Sequence, residues 1–461
     1  MSEQKKNELV YEKKTVYEKA GAEVVAKAQE YAKGYVQFLN AAKTEREAVA
    51  EGVKLAEAAG YRPYSFGMPM KAGDKFYYNN RGKNIYLFKI GTENINNGIR
   101  ITAAHIDSPR IDLKQVPVYE DGGMCFLKTH YYGGIRKYQW LATPLALHGV
   151  VVKQNGEVIN VAIGENDTDP VMYITDLLPH LAANENGKTV ANAFQAEKLN
   201  ILVGSQPIDG DEKDPVKANV LKYLNETYGI AEEDFLSAEL SVVPAAKARD
   251  VGFDRSMICG YGHDDRVCAY PSITAMIDAD EVKHTTMCIL VDKEETGSDG
   301  VTGMQSSLIT DIITEIAKAM GGNEAAVRAN SKCFSSDVTA TYDPNFADVY
   351  EYRNSSLIGC GVSVCKFTGS RGKGGTSDAS AELVAWVRRC LNEAGVVWQT
   401  CELGKVDVGG GGTVAKYMAN HNIDTIDIGV GVLSMHAPYE VIAKVDLYEA
   451  YRAFYAFYRF D

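Results

Sequence analysis

The sequence predicts an α/β protein: a mostly parallel sheet flanked by helices and interrupted by an inserted strand-rich segment. Three observations carry that reading. After residue 251, apolar runs such as TTMCILVD and IDIGVGVL interleave with helix-like stretches such as LITDIITEIAKAM. Strands that alternate with helices build parallel sheets covered on both faces. Between about 115 and 250 the texture changes to short strand candidates separated by turns. Finally, 461 residues exceed what one ordinary core encloses, so the extra length calls for a second unit.

Taken in order, the first 60 residues read as helix. Thr44 and Glu47 form a capping box, Val49, Val53 and Ala56 keep a 3.6-residue period, and Gly60 suits a left-handed stop. KFYYNNRGKNIYLFKIG, with a turn at Asn80–Gly82, and GIRITAAHIDSPR then read as neighbouring strands. In the next segment Asn155-Gly156 lies between Val150–Lys153 and Val158–Ile163, a type I′ hairpin signal. A polar, acidic stretch, PIDGDEKDPVKANVLKYLNETYG, sits among these strands. Beyond 251, ASAELVAWVRRCLNEA and VDLYEAYRAFYAFYRF continue the helical alternation. The expected division is one discontinuous domain, 1–114 with 251–461, and an inserted β-rich domain, 115–250.

Composition narrows the function. With 48 Lys+Arg against 61 Asp+Glu the formal charge is −13, and no basic cluster opposes it, so nucleic acid and anionic membrane are poor partners. No apolar run approaches the roughly 18–20 residues that span a bilayer, and MSEQKKNELVYEKK carries charges where a signal peptide needs an apolar core. A cytoplasmic location is expected. The nine cysteines are odd in number and form no CxxC, which predicts buried thiols rather than disulfides or a thiolate zinc cage. Any metal must then be held by carboxylates and the eight histidines.

Ligands in open α/β sheets gather at the carboxyl ends of strands. Five strand candidates end in suitable groups: His105-Ile106-Asp107, the His263-Asp264-Asp265 run, Glu294-Glu295, Asp337, and His436. His-x-Asp on a strand places both side chains on one face. Two adjacent carboxylates at a buried strand end repel each other and favour a cation or a shared proton. As single features, each of these also reads as a turn, cap or solvated loop. Together they supply two histidines and three or more carboxylates, a donor set suited to two divalent ions. The glycine-rich stretches GSRGKGGTS and Gly409–Gly412 fail the phosphate-loop patterns and read instead as places of close backbone approach.

HIDSPR, the Asp264-Asp265 pair, DKEETGSDG, SSDVTATYDPN and SMHAPYE occur in that order, with a long insertion between the first two. This ordered set resembles the aspartyl aminopeptidase-like family of co-catalytic metallopeptidases. The resemblance implies that His105 binds one metal and His436 the other, and that Asp264 bridges them. Glu295 and Asp337 would each complete one shell, Asp107 would support His105, and Glu294 would be the general base. It further implies two divalent ions per chain, zinc first, with cobalt or manganese accepted. The substrates implied are peptides with a free N-terminus, acidic ones included. The fold implied is a catalytic α/β domain interrupted by a β-rich dimerisation domain, assembled into homo-oligomeric dodecamers in which His180 of LLPHLAAN reaches a neighbouring active site. Arg266 stands where eukaryotic members carry a neutral residue, and Lys366, Arg371 and Lys373 are the candidates to meet an acidic substrate side chain. Two other readings use the same residues: a di-metal deacylase of small N-acyl substrates, and a catalytically silent scaffold.

Overall fold

Strand Ile99–His105 is buried along its whole length, as is Thr285–Val291 beside it. That explains why TTMCILV reads as a near-continuous apolar run rather than an alternating one. The computed structural model describes residues 9–210 and 213–461. In it these two strands lie within a nine-stranded sheet. Its order is Arg62–Pro63, Lys75–Asn80, Asn84–Lys89, Thr285–Val291, Ile99–His105, Lys332–Ser335, Asp424–Gly429, Val362–Cys365 and Trp398–Thr400. Five of the eight pairings are parallel and three antiparallel, so the sheet is mixed with a parallel majority.

Alternate side chains of the central strands feed two cores, as a period of two requires. Ala104, Cys288 and Leu290 join a core built with helices Ala22–Ala41, Glu45–Ala58, His263–Asp278, Ala381–Glu393 and Lys444–Arg459. Ile101, Ala103, Met287 and Ile289 face helix Leu308–Ala319. That helix buries Ile309, Ile312, Ile313 and Ile316 on one stripe. Each such side chain contributes roughly 1.5–3 kcal/mol by leaving water. The expected box at Thr44 and Glu47 caps helix Glu45–Ala58.

Residues from Arg110 to Pro244 build a separate antiparallel sheet of seven strands around a core of their own. Strand Ala238–Pro244 pairs with both Arg110–Asp121 and Pro144–Val152, which closes six of the strands into a ring. Val152 pairs with Val158, so the expected hairpin forms, but its turn is not type I′: Gly156 has φ +85° while Asn155 does not take a positive φ, and the Gly156 N–H donates to the Lys153 carbonyl, a Lys153–Gly156 turn ended by a left-handed glycine. The polar stretch after it holds an element that composition concealed: helix Pro215–Tyr228 lays Val216, Val220, Leu221 and Leu224 on this core and stops at Gly229 with φ +66°.

One expectation about cysteine is corrected. Cys365 and Cys401 are joined as a disulfide, and the other seven are free. Strands Val362–Cys365 and Trp398–Thr400 run parallel with Val364 opposite Thr400, so the next residue of each lies alongside the other, Cα atoms 5.2 Å apart. A separation of 36 residues hides that proximity in the sequence. Among the described residues no helix is long and apolar enough to cross a membrane.

Candidate metal centre

Parallel register brings the chemistry to one edge of the large sheet. Val291 lies opposite His105, Ser335 opposite Ala103, and Asp427 opposite Ser335. The segments leaving these strands carry Asp107, Glu294-Glu295, Asp337 and His436. Asp264 joins them from the entry to helix His263–Asp278, where its φ −78° and ψ 106° are extended rather than helical. A cleft of about 400 Å³ is lined by His105, Asp264, Glu294, Glu295, Asp337 and His436, together with Gly375 and Gly410–Gly412 of the two glycine-rich loops.

The two carboxylate oxygens of Asp264 face different histidines. Oδ1 lies 3.0 Å from His105 Nε2, and Oδ2 lies 3.3 Å from His436 Nε2. Around His105 Nε2 stand Asp337 Oδ1 at 3.8 Å and Glu294 Oε2 at 4.0 Å; near His436 Nε2 stands Glu295 Oε2 at 3.6 Å. Both imidazoles have their second nitrogen engaged. His105 Nδ1 donates to the Asp107 carbonyl at 3.0 Å and His436 Nδ1 to the Gly134 carbonyl at 2.9 Å. A carbonyl can only accept, so Nδ1 is the donor in each ring and Nε2 is the nitrogen turned to the cleft.

The electrostatics are those of carboxylates crowded together in a buried cleft around two histidines. Burial raises Glu294 to about 8 and Glu295 well above the ordinary carboxylate range, with Asp264 and Asp107 adding to both against the pull of His105. Asp337 is raised as well, first by burial. Burial opposes the charge on His436, but Asp264 and Glu295 lift it to about 10; His105 is lifted well above its usual value by Asp107, Asp264 and Asp337. Among the described residues, Asp264 Oδ1, Glu295 Oε1 and both oxygens of Asp265 are buried without a hydrogen-bond partner. Oxygen atoms left bare beside available imidazole nitrogens fit divalent ions. Ligand atoms within 4.8 Å of one another form three groups: His105–Asp265–Asp337, His105–Glu294–Glu295 and Asp264–Glu295–His436.

Several supporting contacts go beyond what the motifs assign. Glu440, fully enclosed, accepts the Asp264 N–H at 3.0 Å and the His436 N–H at 2.8 Å. The second bond helps hold His436 at φ +65°, a conformation that costs a non-glycine residue roughly 1–3 kcal/mol. Asp107 accepts the Glu294 and Glu295 N–H groups at 3.2 Å each, and Tyr132 donates to it at 2.7 Å. Asp265, a strand-end candidate with no separate role in the sequence reading, is buried beside His105 and Asp337. Arg266 is fully buried and spends its guanidinium on the Lys43, Ile106 and Gly262 carbonyls and Ser108 Oγ, which ties the His105 loop to the Asp264 segment. His263 stays outside the cluster: it hydrogen-bonds Tyr35 at 2.7 Å, and burial lowers it to about 3, which keeps it neutral.

The M18 profile, described as aminopeptidase I zinc metalloprotease, matches residues 38–458. The chain belongs to the M18 family. It is a metal-dependent aminopeptidase, a hydrolase of peptide bonds, rather than a deacylase or a silent scaffold. A probable M18 family aminopeptidase 1 of Clostridium acetobutylicum is 49% identical over 460 residues, covering 98% of this chain and 99% of the relative. The crystal structure of an M18 aminopeptidase from Thermotoga maritima superposes with a TM-score of 0.93 at 42% identity, covering 98% of this chain and all of that one. A yeast structure from S. cerevisiae, described as a dodecamer, shares the fold at 21% identity and a TM-score of 0.76, covering 94% of this chain and 96% of that one.

Three features of this M18 aminopeptidase stand apart from the cluster. Lys366 and Lys373 both pair with Asp378, and neither they nor Arg371 line the cleft; Lys416 does. His180 lies exposed on the short turn Pro179–Leu181, flanked by exposed Leu177, Leu178 and Leu181. A second cavity of about 310 Å³ lies in the seven-stranded unit under helix Pro215–Tyr228, but its lining is apolar and holds no His, Asp or Glu.

Proposed function

We propose that this M18 aminopeptidase works through two divalent ions, one held by His105, Asp264 and Asp337 and the other by His436, Asp264 and Glu295, with Glu294 as general base. The observation that carries the assignment is the orientation of Asp264, one oxygen toward each histidine. When bound, such a pair of ions supplies polarisation of the scissile carbonyl and acidification of water. Zinc is the ion to expect from the family description, and cobalt or manganese suits the same N/O donors.

The protein's own part follows from position. Glu294 sits at the cleft with its carboxylate 4.0 Å from His105 Nε2, adjacent to both clusters, where it can take the proton of the attacking water and hand it to the departing amine. Asp107 holds the Glu294 backbone, and so fixes where that proton is taken. The acidic wall of the cleft favours a substrate with a free, basic N-terminus. Matched peptides with free and acetylated N-termini test the reading. Cleavage of the free peptide alone, by protein carrying about two ions per chain, supports it; equal cleavage of both overturns it.

We also infer a discontinuous catalytic domain interrupted by the β-rich unit, with that unit mediating self-association. The exposed apolar residues around His180 support a contact between copies, and the yeast dodecamer shares the fold. In such an assembly His180 would serve a neighbour's cleft rather than its own. Sedimentation of the purified chain tests this, with a monomer as the refuting result.

A further inference from the structure

The β-rich unit reaches the metal centre through the exit of strand Met124–Tyr132. Three consecutive residues there make three different contacts. Tyr132 donates its phenolic hydrogen to Asp107 Oδ2 at 2.7 Å. Asp107 is fully buried, and its Oδ1 stands 3.4 Å from His105 Nδ1. Gly133 has φ +68°, and a Cβ there would lie 3.3 Å from the Glu295 side chain. The Gly134 carbonyl accepts the His436 Nδ1 proton at 2.9 Å. The Tyr132 ring is itself fixed from two sides: the Arg110 guanidinium lies 4.1 Å and Lys293 Nζ 5.3 Å from its centroid. Arg110 in turn is held by Glu45 and Asp112.

We propose that Tyr132, Gly133 and Gly134 form a positioning element through which the inserted sheet sets the metal affinity of both sites. Tyr132 acts on the His105 site through Asp107, and Gly134 acts directly on the His436 ring. The proposal rests on the ligand assignment above. Its physical basis is that the partner of a ligating histidine's second nitrogen fixes the tautomer, orients the ring and raises its basicity. Asp107 meets His105 Nδ1 through its backbone carbonyl at 3.0 Å and through its Oδ1 at 3.4 Å, and the second contact lasts only while the carboxylate is held in place. Its two oxygens are shared among Tyr132, two backbone amides and the His105 ring, so loss of the hydroxyl leaves the carboxylate free to turn. Sequence gives no sign of this, because Tyr132 follows His105 by 27 residues and Gly134 precedes His436 by 302.

The test measures zinc affinity of the full-length chain by competition with a chromophoric chelator, in single-site backgrounds. H436A leaves the His105 site, and H105A leaves the His436 site. Y132F is expected to weaken zinc about 10- to 100-fold in the H436A background, the range known for partners of ligating histidines, with a smaller effect in H105A. G134A, whose new Cβ would meet His436 Nδ1 at 3.3 Å, is expected to show the reverse selectivity without deleting a buried hydrogen bond. Y64F is the control: it deletes the Tyr64–Glu315 hydrogen bond of 3.1 Å, which lies away from the cleft, and should leave zinc affinity unchanged. Two bound ions in the wild type with affinity within twofold for Y132F in the H436A background overturns the proposal alone. Equal weakening in Y64F overturns it too, by reducing the effect to general destabilisation. A wild type that binds no zinc overturns the ligand assignment and this proposal with it.

Discussion

Replacing Glu294 by glutamine separates proton transfer from everything else at the centre. The amide is nearly isosteric with the carboxylate, and the backbone N–H that Asp107 holds at 3.2 Å is untouched. The variant loses the ability to accept a proton. Burial raises the Glu294 carboxyl to about 8, with Asp337, Asp107 and Asp264 adding to that against His105. Nearby dications would draw it back toward neutrality, where a general base is most effective. Positioned general bases contribute about 10²–10⁴-fold. At 1.36 kcal/mol per tenfold, that corresponds to about 2.7–5.4 kcal/mol of barrier. E294Q should therefore show kcat reduced by that factor on a free-N-terminal dipeptide, with KM changed little and metal content equal to wild type by elemental analysis. A kcat within tenfold of wild type refutes the base assignment. Loss of bound metal would instead make Glu294 a ligand.

Three further outcomes follow from the geometry. Removing metal with a chelator should lower the melting temperature and added zinc should restore it, since each ion at a hundredfold excess over its Kd stabilises by about 2.7 kcal/mol; an unchanged melting temperature refutes the clusters as ion sites. Burial opposes the charge on His148, but hydrogen bonds to Glu165 and Glu47 raise it to about 9. Its folded value exceeds the unfolded 6.5, so its contribution of about 3 kcal/mol is complete below pH 6.5 and disappears as pH rises through about 9. The melting-temperature gap between wild type and H148Q should close between pH 6 and pH 10, and a constant gap refutes the pairing. Finally, G429A would place a Cβ 2.0 Å from the Asp337 carbonyl oxygen. Overpacking of this kind costs about 1–3 kcal/mol or more, so a wild-type melting temperature would show that the strand end is looser than described.

Local chemistry was legible and long-range chemistry was not. The Thr44–Glu47 box and the Asn155-Gly156 hairpin involve residues within a few positions of each other, and both elements occur, the hairpin with a turn one residue earlier than type I′ would place it. The α/β alternation was legible because buried parallel strands must be apolar along their length. Helix Pro215–Tyr228 was obscured because its apolar stripe is narrow and sits among charges. Within the candidate centre, the residues at strand ends could be picked out by their chemical type, and the structure gathers His105, Asp264, Glu294, Glu295, Asp337 and His436 around one cleft. Tyr132, Gly134 and Glu440 could not, because each is an ordinary residue until the fold sets it against a histidine or an aspartate. Cys365 and Cys401 were hidden for the same reason.

The order of the strands in the large sheet also bears on when the enzyme can first act. Ile99–His105 finds its parallel neighbours only at Thr285–Val291 and Lys332–Ser335, and His436 follows 331 residues after His105. At about 5–20 residues per second, a ribosome needs about 15–65 s to cover that distance. Throughout that interval the emerging chain owns half a cleft. The antiparallel ring from Arg110 to Pro244, complete much earlier, can fold while the first helices wait for their sheet. By this geometry the cleft is complete only once synthesis has passed Glu440, which holds the Asp264 and His436 backbones together.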